Sequence, residues 1–266
     1  MAQPYLPAGF TFTQTALRTY RECPYRFRLR YLEGVPWPAF PTEPANEAAL
    51  ERGQRFHELA RQHFLGLDLS GQIGVADEEV ARWWAALQAV PPDLSPYPRQ
   101  YPEAGLSIPL GPFRLAARYD LLVVGEEAAL VVDWKTGRAL PPPAVLAKDL
   151  QTRVYLFILA EGGATYHAGR PFAPEALAIL YWHPEGPRQS RLPYDAGQHE
   201  RDRAFLEALV AQIAGRPAEE MLPTDDLATC GPCSYAPLCG RPGGAEVEWE
   251  VEEEPFVEKE AVEPPE

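Results

Sequence analysis

"RYDLLVVGEEAALVVDWKTGR", residues 118–138, decides how this chain is read. Two apolar runs, 113–124 and 129–134, flank "GEEA", a pattern that predicts two strands joined by a hairpin turn. The second run ends in Asp133-Trp134-Lys135, an acid and a base where a buried strand needs partners for both. A turn centred between Glu126 and Glu127 sets Asp120 directly opposite Asp133, on one face and about 5 Å apart. Lys135, two residues further on, projects to that face as well. The hairpin therefore gathers two carboxylates and an ammonium. Carboxylates that close repel unless a proton or a cation lies between them. Hard divalent cations take oxygen ligands, and Mg²⁺ is held by one or two carboxylates completed by water and substrate phosphate. A nearby ammonium can offset charge on a phosphate in the transition state. The competing reading is an Asp–Lys–Asp salt-bridge cluster at a sheet edge.

Around the hairpin the chain alternates helical and extended patterns. Thr11 or Thr13 can cap a helix running toward Arg21, and Pro24 suits the first turn of a second helix ending near Leu32. "VPWPAFPTEP" reads as a loop. Residues 45–65 carry Leu50, Phe56, Leu59, Ala60 and Phe64 at helical spacing, and 77–90 form a shorter amphipathic helix with Trp83 and Trp84. A long helix is expected over 144–161, a strand pair over 176–183 and 188–194, and a last helix over 197–214. Glu103 falls on an expected strand in "YPEAGLSIPL". This order predicts an α/β fold, a central mixed β-sheet flanked by helices.

At 266 residues the chain suits one domain. No stretch is long and apolar enough for a membrane span, and the start lacks a signal-peptide pattern, so a cytoplasmic protein is expected. The net charge of −14 argues against a nucleic-acid partner until its distribution is considered. Residues 246–266 hold ten Glu and one Lys, so this tail carries −9 and the rest only −5. The boundary is placed after residue 243, with 244–266 an acidic disordered tail. It is either solubilising or an intramolecular mimic of nucleic acid. By contrast "RTYRECPYRFRLR" has Arg18, Arg21, Arg26, Arg28 and Arg30 against one Glu, interleaved with aromatic residues. That composition suits phosphate contacts and base stacking, or equally a solvated helix face.

The hairpin resembles the core of PD-(D/E)XK nucleases with a restriction-endonuclease-like fold, specifically the RecB-like group. Other pieces fall in the group's order. "RGQRFHELA" is similar to its Gly-x-x-x-His motif, at Gly53 and His57, and "LQTRVY" to its Gln-x-x-x-Tyr motif, at Gln151 and Tyr155. The i, i+4 spacing sets Gln151 and Tyr155 on one helix face. The resemblance implies that His57, Asp120, Asp133 and the Trp134 carbonyl hold Mg²⁺ or Mn²⁺, with Lys135 the catalytic lysine. It implies that Gln151 and Tyr155 support the site or contact DNA, with Glu103 an additional acid and Arg18 and Arg21 in the DNA-binding segment. The function implied is a metal-dependent DNA nuclease on single strands or duplex ends. Alternatives are a CRISPR adaptation nuclease that trims spacer precursors, and a non-catalytic DNA-binding subunit of a helicase–nuclease complex.

Cys230, Cys233 and Cys239 form C-x2-C-x5-C, and Cys23 is the one other thiol. Without a signal peptide, this usage favours a metal or cluster over disulfides. A four-thiolate site would clip the N-terminal helix to the C-terminal loop. Spacing leaves zinc and iron–sulfur both open. The one-plus-three split resembles the iron–sulfur staple of AddB-like and CRISPR-associated exonucleases, which implies a structural [4Fe–4S] cluster.

Overall fold

Thr13, extended and at the head of an amphipathic run, accepts a hydrogen bond from the Ala16 backbone N–H and so starts α1 (Gln14–Glu22). Cys23 ends α1 and caps α2 (Pro24–Phe27), whose first residue is the proline that suits that position. A π-helical turn, Arg28–Leu32, completes this N-terminal unit. The computed structural model describes residues 6–7, 9–36, 44–73, 77–137, 139–185, 188–231 and 233–241. The acidic tail and most of the expected loop at 35–44 lie outside them.

Among the described residues six strands form one mixed sheet: β1 (Thr11–Phe12), β2 (Arg99–Leu110), β3 (Phe113–Val124), β4 (Ala129–Trp134), β5 (Leu177–His183) and β6 (Arg188–Pro193). β3 pairs antiparallel with β2 along its length and with β4 at its C-terminal end, while β1 lies parallel to Arg114–Leu115. β4 and β5 are parallel, and β6 returns antiparallel to β5. All six residues of β4 are buried, because helices cover both faces of the sheet.

On one face α1, α7 (Leu150–Gly162) and α8 (Ala196–Gly215) pack over Leu115, Leu122, Val124 and Val131. On the other, α3 (Pro44–Phe64) and α5 (Glu78–Ala89) pack over Leu121, Val123, Leu130 and Val132. Short helices α4 (Ser70–Ile73), α6 (Pro143–Leu146) and α9 (Leu227–Cys230) occupy connections. The expected α/β architecture of a mixed sheet flanked by helices is the observed one.

Four local expectations change. The helix expected at 144–161 is two, α6 and α7, because Asp149 is extended and its carboxylate accepts from the Gln151 N–H to start a new helix. Thr11 is not a cap but part of β1. The strand holding Glu103 begins earlier, at Arg99. The second helix ends in the π-helical turn. Among the described residues no helix is long and apolar enough to cross a membrane.

Candidate active site

The hairpin has the expected register: Leu121 pairs with Val132, Leu122 with Val131 and Val124 with Ala129. Continued by one residue, it sets Asp120 against Asp133. β2 adds a third acid. It pairs Pro102 with Leu121 and Ala104 with Tyr119, which leaves Glu103 against Asp120. Glu103 has φ of 54°, a left-handed conformation uncommon for a residue with a side chain. The inward alternation of β3 slips at this point. Leu115, Ala117 and Tyr119 face α7, and so do Leu122 and Val124, so two residues rather than one separate Tyr119 from Leu122. The two strands shift phase together, and the acids collect at the irregularity.

Three elements converge here. From α3, His57 Nδ1 lies 3.4 Å from Asp120 Oδ1. The other Asp120 oxygen accepts from the Trp134 backbone N–H at 2.8 Å, which ties the middle of β3 to the end of β4. From α7, Gln151 bridges the motif: its Nε2 donates to Asp133 Oδ1 at 2.8 Å, and its Oε1 accepts from Lys135 Nζ at 2.7 Å. Lys135 Nζ is 3.1 Å from Asp133 Oδ2 and 5.4 Å from the centre of the Tyr181 ring. Asp133 is only 3% exposed, and its Oδ2 has that ion pair but no hydrogen bond of good geometry. Tyr155, one turn beyond Gln151, is in the core, its ring edge-on to Tyr119 at 5.2 Å.

The electrostatics follow from this crowding. Burial raises Asp133 to about 6, with Lys135 pulling down and Asp120 pushing up. Burial and the charge on Asp120 raise Glu103 to about 7. Burial would also raise Asp120, but His57, the Trp134 N–H and Lys135 outweigh it and hold this carboxyl below its usual range. For His57, burial works downward and is overcome by Asp120, then by Asp133 and Glu103, so the imidazole is pushed up to about 9. One proton-bearing imidazole and one ammonium thus share three acids.

Arg18 links the basic segment to this site. Arg18 pairs with Asp149 at 3.0 Å, and Asp149 is the residue that caps α7 just before Gln151. Arg21 points elsewhere, its guanidinium 5.5 Å from the centre of the Phe205 ring on α8. Asp149 has a legible sequence signal, an acid directly before a helical run. Arg153 of α7 bonds to the fully buried Asp202 of α8, a long-range pair with no sequence signal.

Cys23, Cys230, Cys233 and Cys239 line one cavity between the start of α2 and the C-terminal loop, and none is in a disulfide. Burial raises the Cys239 thiol, and Cys23, Cys233 and Cys230 add to that. Individual thiols are engaged locally: Cys230 Sγ accepts from Arg241 at 3.1 Å and Cys23 Sγ from the Arg26 N–H at 3.4 Å. Among the described residues, no three His, Cys, Asp or Glu side chains stand in an arrangement that could hold a metal ion. That holds for the thiols and for the acids.

The comparisons agree with this geometry at the level of family and fold. A search of curated proteins found no match. Among solved structures, a Eubacterium rectale protein described as a "Putative exonuclease" aligns over 92% of this chain and 90% of its own. At 12% identity and a TM-score of 0.52 this likeness concerns the fold alone. A structure described as SSO0001 aligns over 86% and 85% at 13% identity, and its TM-score of 0.39 is too low to argue from. The family model described as the PD-(D/E)XK nuclease superfamily matches residues 11–240, a span that includes α3, the hairpin, α7 and all four cysteines. The chain belongs to the PD-(D/E)XK nuclease superfamily.

Proposed function

We propose that this chain is a Mg²⁺- or Mn²⁺-dependent deoxyribonuclease of the RecB-like group, acting on single strands or DNA ends in repair or recombination. The observation that carries the reading is the convergence of His57, Asp120, Asp133, Lys135 and Gln151 where the end of β4 meets the middle of β3 in a member of this superfamily.

The donor set suits a hard divalent ion: carboxylate oxygens, one of them held by the Lys135 ammonium, and an imidazole. His57, Asp120, Asp133 and the Trp134 carbonyl would hold the ion, and His57 must lose its proton to do so. When bound, the ion supplies Lewis-acid polarisation of the phosphodiester and lowers the pKa of attacking water. Lys135, held by Asp133 and Gln151, offsets charge that builds on the phosphate. Gln151 is a positioning residue that keeps Asp133 and Lys135 in one plane of contact. Glu103, near neutrality in its proton equilibrium, can accept a proton beside Asp120. Family precedent gives 5′-phosphate and 3′-hydroxyl products. A partner helicase would supply strand separation, since the chain has no Walker-type phosphate loop.

The same reading assigns Cys23, Cys230, Cys233 and Cys239 to a structural [4Fe–4S] cluster, with zinc as the alternative. Four thiols outside any disulfide around one cavity support it.

The test is cleavage of end-labelled single-stranded DNA by anaerobically purified protein in Mn²⁺, Mg²⁺ or EDTA, beside Asp133→Ala. Metal-dependent cleavage that this variant loses is the expected result. Equal cleavage by both proteins refutes the site, and no cleavage by either refutes an autonomous nuclease.

A further inference from the structure

A groove of about 350 Å³ runs between α1 and α8, apart from the acid–lysine cluster. Tyr20 and Arg21 line it from α1, Phe205 and Gln212 from α8, and Arg216 from the residue that ends α8. The α8 residues recur at helical spacing, so one face of that helix forms the wall. Its volume lies within the usual range for small-ligand and nucleotide sites.

The lining is built for an anion. The Arg21 guanidinium lies 5.5 Å from the centre of the Phe205 ring, and Arg216 lies 5.7 Å from that of Tyr20. Arg153 covers Phe205 as well, at 3.8 Å. Among the described residues neither Arg21 nor Arg216 pairs with a carboxylate, although Asp and Glu outnumber Lys and Arg by 38 to 24. A guanidinium laid on a ring is fixed in its plane and still presents N–H edges for a phosphate. Tyr20 is 3% exposed, and its buried hydroxyl lies by the Gln212 side chain of the groove without a hydrogen bond of good geometry. Leaving a buried hydroxyl unpaired costs roughly 1–3 kcal/mol, so a ligand oxygen is its natural partner. Two fixed cations, two ring systems and a poorly satisfied hydroxyl are the composition of single-strand grooves.

The groove is also joined to the cluster. Arg18, three residues before Arg21 on α1, pairs with Asp149 at the head of α7, beside Gln151. α1 therefore lines the groove with its last turn and reaches toward α7 from the turn before it.

We propose that this groove is a second phosphate-binding site, which holds the backbone of single-stranded DNA at a distance from the cleavage point. The proposal rests on the reading of the chain as a DNA nuclease, but it concerns binding and needs no catalysis.

The test uses the full chain in EDTA, so that nothing is cut. Fluorescence anisotropy measures binding of a labelled oligothymidylate across a salt series, with deoxythymidine monophosphate as the competing probe. The variants are Arg21→Ala/Arg216→Ala, Tyr20→Phe and, as a control, Arg82→Ala on α5. For the double variant, a loss of about tenfold in affinity is expected. Its salt slope should be shallower by about 1.4, two single-strand phosphate contacts at about 0.7 each. Tyr20→Phe should weaken binding several-fold while urea denaturation shows stability unchanged or raised. A purely structural tyrosine would lose stability and leave binding unchanged. Binding by the double variant equal to that of Arg82→Ala overturns the proposal. So does loss of mononucleotide binding alone, which would make the groove a free-nucleotide site. Wild-type protein that binds through the groove yet never cleaves would refute the nuclease and leave this site standing. Cleavage with an inert groove would do the reverse.

Discussion

Replacing Gln151 by Leu keeps the side-chain volume roughly constant and removes both arms of the bridge between Asp133 and Lys135. Asp133 is nearly fully buried, so its Oδ1 would lose its donor without gaining water. Lys135 is 22% exposed at the side chain and can recover a water partner, so its lost bond counts for little. The dominant cost is one hydrogen bond to a buried charged group, about 2 kcal/mol. Urea denaturation in EDTA should register that loss at neutral pH. If Gln151 holds Lys135 and Asp133 equally through the transition state, the same 2 kcal/mol lowers cleavage about thirtyfold. Gln151→Glu sharpens the test, since it places a second carboxylate against Asp133 and should be worse in both assays. A Leu variant with stability within about 0.5 kcal/mol of the parent and undiminished cleavage would refute the bridge as a positioning device.

Asp202→Ala should cost about 3 kcal/mol in the same denaturation assay, because it strands Arg153 and the Tyr194 hydroxyl at a fully buried acid. A cost below about 1 kcal/mol would mean the α7–α8 packing does not depend on that network. In metal-free protein, NMR titration of His57 should give a midpoint near 9, which falls well below that in Asp120→Asn. The sign follows from the raised value: the His57–Asp120 pair adds stability below the free imidazole pKa, and that stability is lost as pH climbs through about 9. Anaerobically purified protein should contain iron, lost in Cys230→Ser together with visible absorption and some resistance to unfolding; stoichiometric zinc would identify the alternative.

The hairpin was legible because its determinants are local. Strand alternation and a short turn set the register, and that register carries Asp120 toward Asp133 and Lys135 onto the side of Asp133. The caps were partly legible for the same reason: Thr13 works within its own helix turn. Asp149 is the instructive failure. Its apolar surroundings extend the helical pattern backward through 144–148 and mask the cap signal of an acid at 149, whose carboxylate bonds the Gln151 N–H and starts a new helix. Gln151 and His57 could be named by resemblance, but periodicity alone does not say that α7 and α3 approach the hairpin from opposite faces of the sheet.

The sequence by itself therefore determined the element order, the hairpin register, the charge asymmetry between the acidic tail and the basic helix, and the one-plus-three distribution of cysteines. Tertiary structure decided what those elements meet. It set Glu103 against Asp120 through a paired slip of β2 and β3, stacked Arg21 on Phe205 and Arg216 on Tyr20, and left the four thiols around one cavity. The physical reason is range. A turn or a cap is settled by atoms a few residues apart. A groove between α1 and α8 depends on how the 173 intervening residues fold, and no short pattern in the chain encodes that distance.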